Sequence, residues 1–96
     1  MAEYRYSLSG EVDLAVAPIV RRDLARAINT RGTHLLIDCS QLTFIDSTGI
    51  AVLLEANQEL EADGRHMLIL NVQRGPRRVF EALGLTDLLR FDREDA

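Results

Sequence analysis

The sequence contains no lysine, a single cysteine and no long apolar run. A lone Cys39 cannot form an internal disulfide. The longest unbroken apolar stretch runs from Ile50 to Leu54. A membrane-spanning helix needs about 20 such residues. Met1-Ala2-Glu3-Tyr4-Arg5 lacks the apolar core of a signal peptide. Together these absences predict a cytoplasmic protein with no membrane contact. All 11 basic residues are arginines, scattered along the chain, which reads as codon bias. Against 15 acidic residues they leave a net charge of −4, the wrong sign for a general nucleic-acid binder.

Missing motifs narrow the chemistry further. There is no Walker motif and no G-x-G-x-x-G, so no nucleotide cofactor is expected. There is no G-x-S-x-G elbow for a serine hydrolase. His34, Cys39 and His66 do not have zinc-site spacing, so no metal is expected. The segment Asp46-Ser47-Thr48-Gly49 is one residue out from the D-(T/S)-G signature of aspartic proteases and occurs once. The chain is therefore expected to act by binding, not as an enzyme. Cys39 reads as a small apolar core residue. The two histidines read as surface or edge residues at strand starts.

What is present is a globular composition. The 96 residues, 47% of them apolar, suit one domain over residues 1–96. Tyr4, Tyr6 and Leu8 alternate on one face of a strand, Gly10 suggests a bulge, and Val12 and Leu14 continue the pattern. Pro18 opens a helix carrying Val20, Leu24, Ala27 and Ile28, and Gly32 ends it. His34 to Asp38 is a short apolar strand, central in the sheet. Ser47 or Thr48 starts a second helix with Ile50, Leu53, Leu54, Asn57 and Leu60, stopped by Gly64. Met67 to Val72 forms another strand. Gly75-Pro76 begins a third helix with Val79, Phe80 and Leu83, closed by Gly84-Leu85 as a Schellman stop. Leu88 to Phe91 gives a last strand. Phe44, Phe80 and Phe91 are expected in the core. The alternation of strands and helices predicts parallel pairing with right-handed crossovers.

The chemistry concentrates in Phe44-Ile45-Asp46-Ser47-Thr48-Gly49-Ile50. Three small polar residues sit between apolar segments, at a point where backbone N–H groups have no helical partner. Ser47 reads locally as a helix N-cap. The same position suits a phosphate, because free N–H groups and the positive end of the helix dipole favour negative charge. Arg74, Arg77 and Arg78 cluster at the start of the third helix, either as a solvated face or as a patch for an acidic partner surface beside Ser47.

These residues carry a resemblance. Gly10-Glu11-Val12-Asp13-Leu14, Leu35-Leu36-Ile37-Asp38-Cys39, the block from Phe44 to Ala56 (FIDSTGIAVLLEA), Asn71, Arg77-Arg78-Val79 and Leu83-Gly84-Leu85 are similar to STAS domains, and among them to bacterial anti-sigma factor antagonists. The resemblance implies an α/β STAS fold. Its small, mostly parallel or mixed sheet would have four or five strands packed with three to four helices. It implies that Ser47 is the phosphoacceptor, with Asp46, Thr48, Gly49 and Asp13 around it. Thr48 offers a possible second hydroxyl target. It further implies an ATPase-kinase anti-sigma factor as partner, bound when Ser47 is unphosphorylated so that a sigma factor is released. A serine phosphatase would reset the switch.

Two departures bear on this. Members of the family commonly carry a strand before the one at Tyr4 to Leu8, so the sheet is expected to be one strand smaller, with an open edge that could form a weak homodimer. Val16 stands where a capping threonine is frequent, which leaves the start of the first helix unmarked. A second reading is a non-switching STAS subunit of an ABC-type lipid transport complex.

Overall fold

A computed structural model describes residues 2–30 and 32–94. The Tyr4-Tyr6-Leu8 alternation lies in strand β1 (Ala2–Val12). It pairs in parallel with β2 (Thr33–Ile45), with register shifts between Ser7 and Ser9 and between Gly10 and Glu11. The second shift follows Gly10, whose φ of +66° is the bulge geometry a glycine permits. Beyond Val12 the chain turns, and Leu14 does not continue the strand; it is 72% exposed.

Helix α1 (Ala17–Ile28) begins at Ala17 although Val16 offers no side-chain cap. Asp13 does that work from three residues upstream. Its carbonyl accepts from the N–H of Val16 and Ala17, and its carboxylate accepts from Ala15 and Val16. The buried stripe of α1 is Ala17, Val20, Leu24, Ala27 and Ile28, the set the helical spacing predicts.

β2 is longer than the apolar run His34 to Asp38. Polar Ser40, Gln41 and Thr43 break the hydrophobic signal, yet the chain stays extended because β1 keeps pairing with it up to Val12↔Ile45. Helix α2 (Ser47–Ala62) buries Gly49, Ile50, Val52, Leu53, Ala56 and Leu60. It ends at Gly64, where Gly64 N–H donates to Glu61 O and Arg65 N–H to Leu60 O. Strand β3 (Met67–Leu70) is two residues shorter than expected, because Asn71 takes a φ of +61°. Helix α3 (Arg74–Ala82) closes on Gly84: Leu85 N–H donates to Phe80 O and Gly84 N–H to Glu81 O, the Schellman pair. The last strand, β4 (Arg90–Asp92), starts two residues late. Leu88 and Leu89 instead fold back in a turn on Leu85 O.

All three pairings are parallel and the sheet order is β1-β2-β3-β4. Right-handed crossovers stepping one way across a sheet put every helix on the same face. Burial in β2 agrees. Leu35, Ile37 and Cys39 are buried beneath the helices, while His34, Leu36, Asp38 and Ser40 alternate on the more open face. Among the described residues the domain thus lies at the lower end of the expected strand and helix numbers, and β1 is an edge.

The polar interior is sparse. Arg65, 7% exposed, donates from Nη1 to the carbonyls of Thr30 and Thr33, tying the end of α1 to the start of β2. Its Nε lies 2.8 Å from Asp63 Oδ2. His34 and His66 stack 5.2 Å apart at the strand starts, with His34 Nδ1 accepting the His66 backbone N–H. Phe80 is fully buried and meets Phe91 edge-on at 5.2 Å. Cys39 is also fully buried, and burial pushes its thiol up to about 12, so it packs as an inert apolar group.

Candidate functional site

In a parallel sheet the C-terminal strand ends share one edge. Here that edge carries the β1–α1 turn, the β2–α2 junction and the β3–α3 connection. The candidate residues come together where β1 and β2 end. Val12 pairs with Ile45, and Asp46 N–H donates to Val12 O at 3.2 Å, which sets Asp13 and Asp46 on adjoining turns.

Asp46, not Ser47, caps α2. Its backbone is extended, and Oδ1 accepts from Thr48 N–H at 2.9 Å and Gly49 N–H at 3.2 Å. The Thr48 hydroxyl donates to the same oxygen. The carboxyl is held below the usual carboxylate range, first by that hydroxyl and then by the backbone N–H groups of Gly49, Thr48 and Leu14. The expectation of Ser47 as N-cap is corrected, since aspartate is an equally good cap and occupies the extended position before the helix. Ser47 is the first helical residue and is exposed.

Gly49 explains why the helix can start so close to the sheet. A Cβ on it would lie 2.8 Å from Ile45 Cγ1 and Val12 Cγ1, and 3.1 Å from Val12 O. Asp13 lies half-buried in the neighbouring turn with both its carbonyl and its carboxylate spent on the start of α1. It shapes the site's wall.

Two exposed apolar residues border the same edge and were assigned elsewhere by the sequence. Leu14 was expected in a strand. Phe44 was expected in the core but is 46% exposed. The correction follows from the bulges in the β1–β2 ladder, which leave Phe44 opposite Glu11 and turn Leu42 and Ile45 inward. A cavity of about 240 Å³ between α1 and α2, lined by Arg21, Leu24, Ile28, Val52, Glu55 and Ala56, does not include Ser47. A second, of about 200 Å³, lies at the opposite end of the strands against His34, His66 and Arg90. Among the described residues no cluster of three or more His, Cys, Asp or Glu side chains could hold a metal ion, and no helix is long and apolar enough to cross a membrane. The site thus presents an exposed Ser47 at the helix start, with exposed Leu14 and Phe44 on the same edge.

A parallel four-stranded sheet with its helices on one face is the STAS arrangement. The STAS domain profile matches residues 4–95, and the chain belongs to that family. Among relatives, it is 29% identical over 84 residues to the anti-sigma-B factor antagonist of Listeria monocytogenes serovar 1/2a, covering 88% of this chain and 74% of that one. It is 25% identical over 87 residues to the anti-sigma-B factor antagonist of Bacillus subtilis, covering 91% and 79%. The anti-sigma F factor antagonist of Paenibacillus polymyxa is 29% identical over 83 residues, with 85% and 71% covered. The unphosphorylated anti-sigma factor antagonist SpoIIAA superposes with a TM-score of 0.84 at 25% identity, covering 98% of this chain and 81% of that one. The phosphorylated form of Bacillus SpoIIAA gives 0.75 at 26%, covering 97% and 83%.

Proposed function

We infer that this chain is an anti-sigma factor antagonist: a cytoplasmic binding regulator, read as one STAS domain over residues 1–96. It engages an anti-sigma factor of the ATPase-kinase type through the Ser47 face and is displaced when Ser47 carries a phosphate. The observation that carries this reading is the exposure of Ser47 beside an Asp46 carboxylate that already holds the N–H groups of Thr48 and Gly49. With those donors taken, a phosphate on Ser47 is not drawn into the helix end. It stands outward, next to a carboxylate, as a charge of about −1.5 to −2. Against a partner carboxylate about 6 Å away, an effective dielectric of about 20 gives roughly 2.8 kcal/mol per pair of unit charges. That corresponds to about a hundredfold in affinity. Salt lowers this. A serine phosphatase reverses the modification.

The antagonist names of the relatives support this reading over a transporter subunit, and no structural observation favours the latter. The open β1 edge supports a weak homodimer as a secondary property.

The test is direct. The protein is incubated with each ATPase-kinase anti-sigma factor of its source genome and ATP, and the phosphate is mapped by mass spectrometry. Binding is then measured for wild type, Ser47→Ala, Ser47→Glu and the phosphoprotein. The reading expects phosphate on Ser47, retained binding by the alanine variant and at least tenfold weaker binding by the other two forms. Equal affinity for all four removes the switch.

A further inference from the structure

Outside the Ser47 face, the strongest unexplained feature is the start of α3. Arg74, Arg77 and Arg78 occupy its first turns, and no acidic residue offsets them there. Positive side chains at the positive end of a helix dipole are unfavourable. Elsewhere among the described residues Arg5, Arg21, Arg22 and Arg65 sit within 4 Å of a carboxylate, whereas Arg26, Arg90 and Arg93 stand singly, with no second unpaired arginine on the same helix. Among the described residues none of the three α3 arginines has a carboxylate that close. Arg77 at least spends its guanidinium over the Phe91 ring, 5.8 Å from the centroid. Arg74 and Arg78 are exposed, four residues apart and therefore on one helix face. Glu81, three residues beyond Arg78, forms no ion pair with it. In a chain of net charge −4, this is a local concentration of uncompensated positive charge.

Its position ties it to the site. The α3 start lies against the upper half of β2: a Cβ on Gly75 would be 3.8 Å from Thr43 O, and the Gln73 side chain donates to Ser40 O. Thr43 precedes Ser47 by four residues, a span of at most about 14 Å. A standard interface covers about 800 Å² per partner, a disc about 32 Å across. Both features fit within one footprint, with Phe44 between them in the chain.

We propose that Arg74 and Arg78 form a second docking point on the anti-sigma partner, reserved for an acidic patch of its surface. This rests on the reading of Ser47 as the partner-facing switch. The two elements are complementary in sign. An acidic partner is drawn by the arginines and repelled by a phosphate, so the same partner charge serves both recognition and release. Rim charges of this kind act chiefly on the association rate and its salt dependence.

The test uses the full chain and the anti-sigma factor that phosphorylates it. Association is followed by surface plasmon resonance at several salt concentrations. Arg74→Glu/Arg78→Glu is expected to slow association about tenfold at low salt and to flatten the salt dependence. Arg74→Lys/Arg78→Lys is expected to stay near wild type. Arg22→Glu/Arg26→Glu on α1, with the same change in net charge, is expected to remain within about threefold. Circular dichroism establishes that each variant is folded. Wild-type kinetics and salt slope in the folded α3 glutamate variant would overturn the proposal while leaving the Ser47 switch intact. An equal loss in the α1 variant would reduce the effect to net charge and overturn it too. Failure of wild type and Ser47→Ala to bind any such factor overturns the parent reading, and this inference with it.

Discussion

The Thr48 hydroxyl donates to Asp46 Oδ1, so of the two adjacent hydroxyls at the start of α2 one is turned inward and the other is left free. The sequence resemblance names Ser47 as the phosphoacceptor and leaves Thr48 as a possible second target. Their partners separate them. A kinase must take a hydroxyl that can swing into its active site, and Thr48 would first have to give up its bond to the cap.

The expected outcome is a single phosphate per chain. Treatment with the cognate kinase and ATP should label wild type and Thr48→Val at Ser47. Ser47→Ala should stay unlabelled by intact-mass spectrometry. A phosphate appearing on Thr48 in the alanine variant would show that the cap bond does not protect it.

Replacing Gly49 by alanine pits two effects against each other. Alanine is the better helix former by about 1 kcal/mol. Its methyl, however, would sit 2.8 Å from Val12 Cγ1 and Ile45 Cγ1 and 3.1 Å from Val12 O. Overpacking of that kind costs about 1–3 kcal/mol. Crowding against two buried β-branched side chains and a backbone oxygen should dominate. A urea melt of Gly49→Ala is expected to show lower stability with an unchanged slope; a variant as stable as wild type would mean that α2 can shift away from the sheet.

The open sheet face supplies a pH-dependent clasp. Arg5 Nη2 lies 2.9 Å from Asp38 Oδ2 and 2.6 Å from Glu94 Oε1, and Asn71 Nδ2 reaches both acids. The Ser40 backbone N–H and then Arg5 lower Asp38 from 3.8 to about 2. Glu94 is lowered as well, by Arg5 first. A depressed carboxylate stabilises the fold fully above its unfolded value and loses that contribution as pH falls through its folded value. The window here runs from about pH 5 down to about pH 2. The Asp38 contribution is at most about 2 kcal/mol. The stability gap between wild type and Asp38→Asn, measured by urea melts at pH 7, 4 and 3, should therefore narrow on acidification. A gap that is constant with pH would assign the loss to packing.

How much of this was legible depends on what each residue answers to. Val20, Leu24, Ala27 and Ile28 were readable because α1 presents one stripe to one layer. The Gly84-Leu85 stop was readable because few local geometries satisfy a buried helix end. The upper half of β2 was not. Ser40, Gln41 and Thr43 are strand residues only because β1 runs beside them, a tertiary cause with no local trace. Phe44 is exposed because hydrophobicity indicates only that a side chain can be buried and the bulges decide whether it is, while Leu14 lies past the end of β1, where the chain turns toward α1. At the site, the small polar run located the helix mouth. Choosing between aspartate and serine as cap required the backbone angles of Asp46. The role of Asp13 was hidden because its hydrogen bonds skip over Leu14 to reach the start of α1.

The close seating of Gly49 against Val12 and Ile45 has a consequence for how information is stored. A helix seated that tightly is expected to keep its place when a group is added at its tip. On the proposed reading, the domain would then work as a signpost whose lettering changes while its post stands still. NMR shift changes on modification would stay within a few residues of the tip, and the melting temperature would barely register the mark. Mutations that harden the interior and mutations that retune the message would accumulate independently of one another.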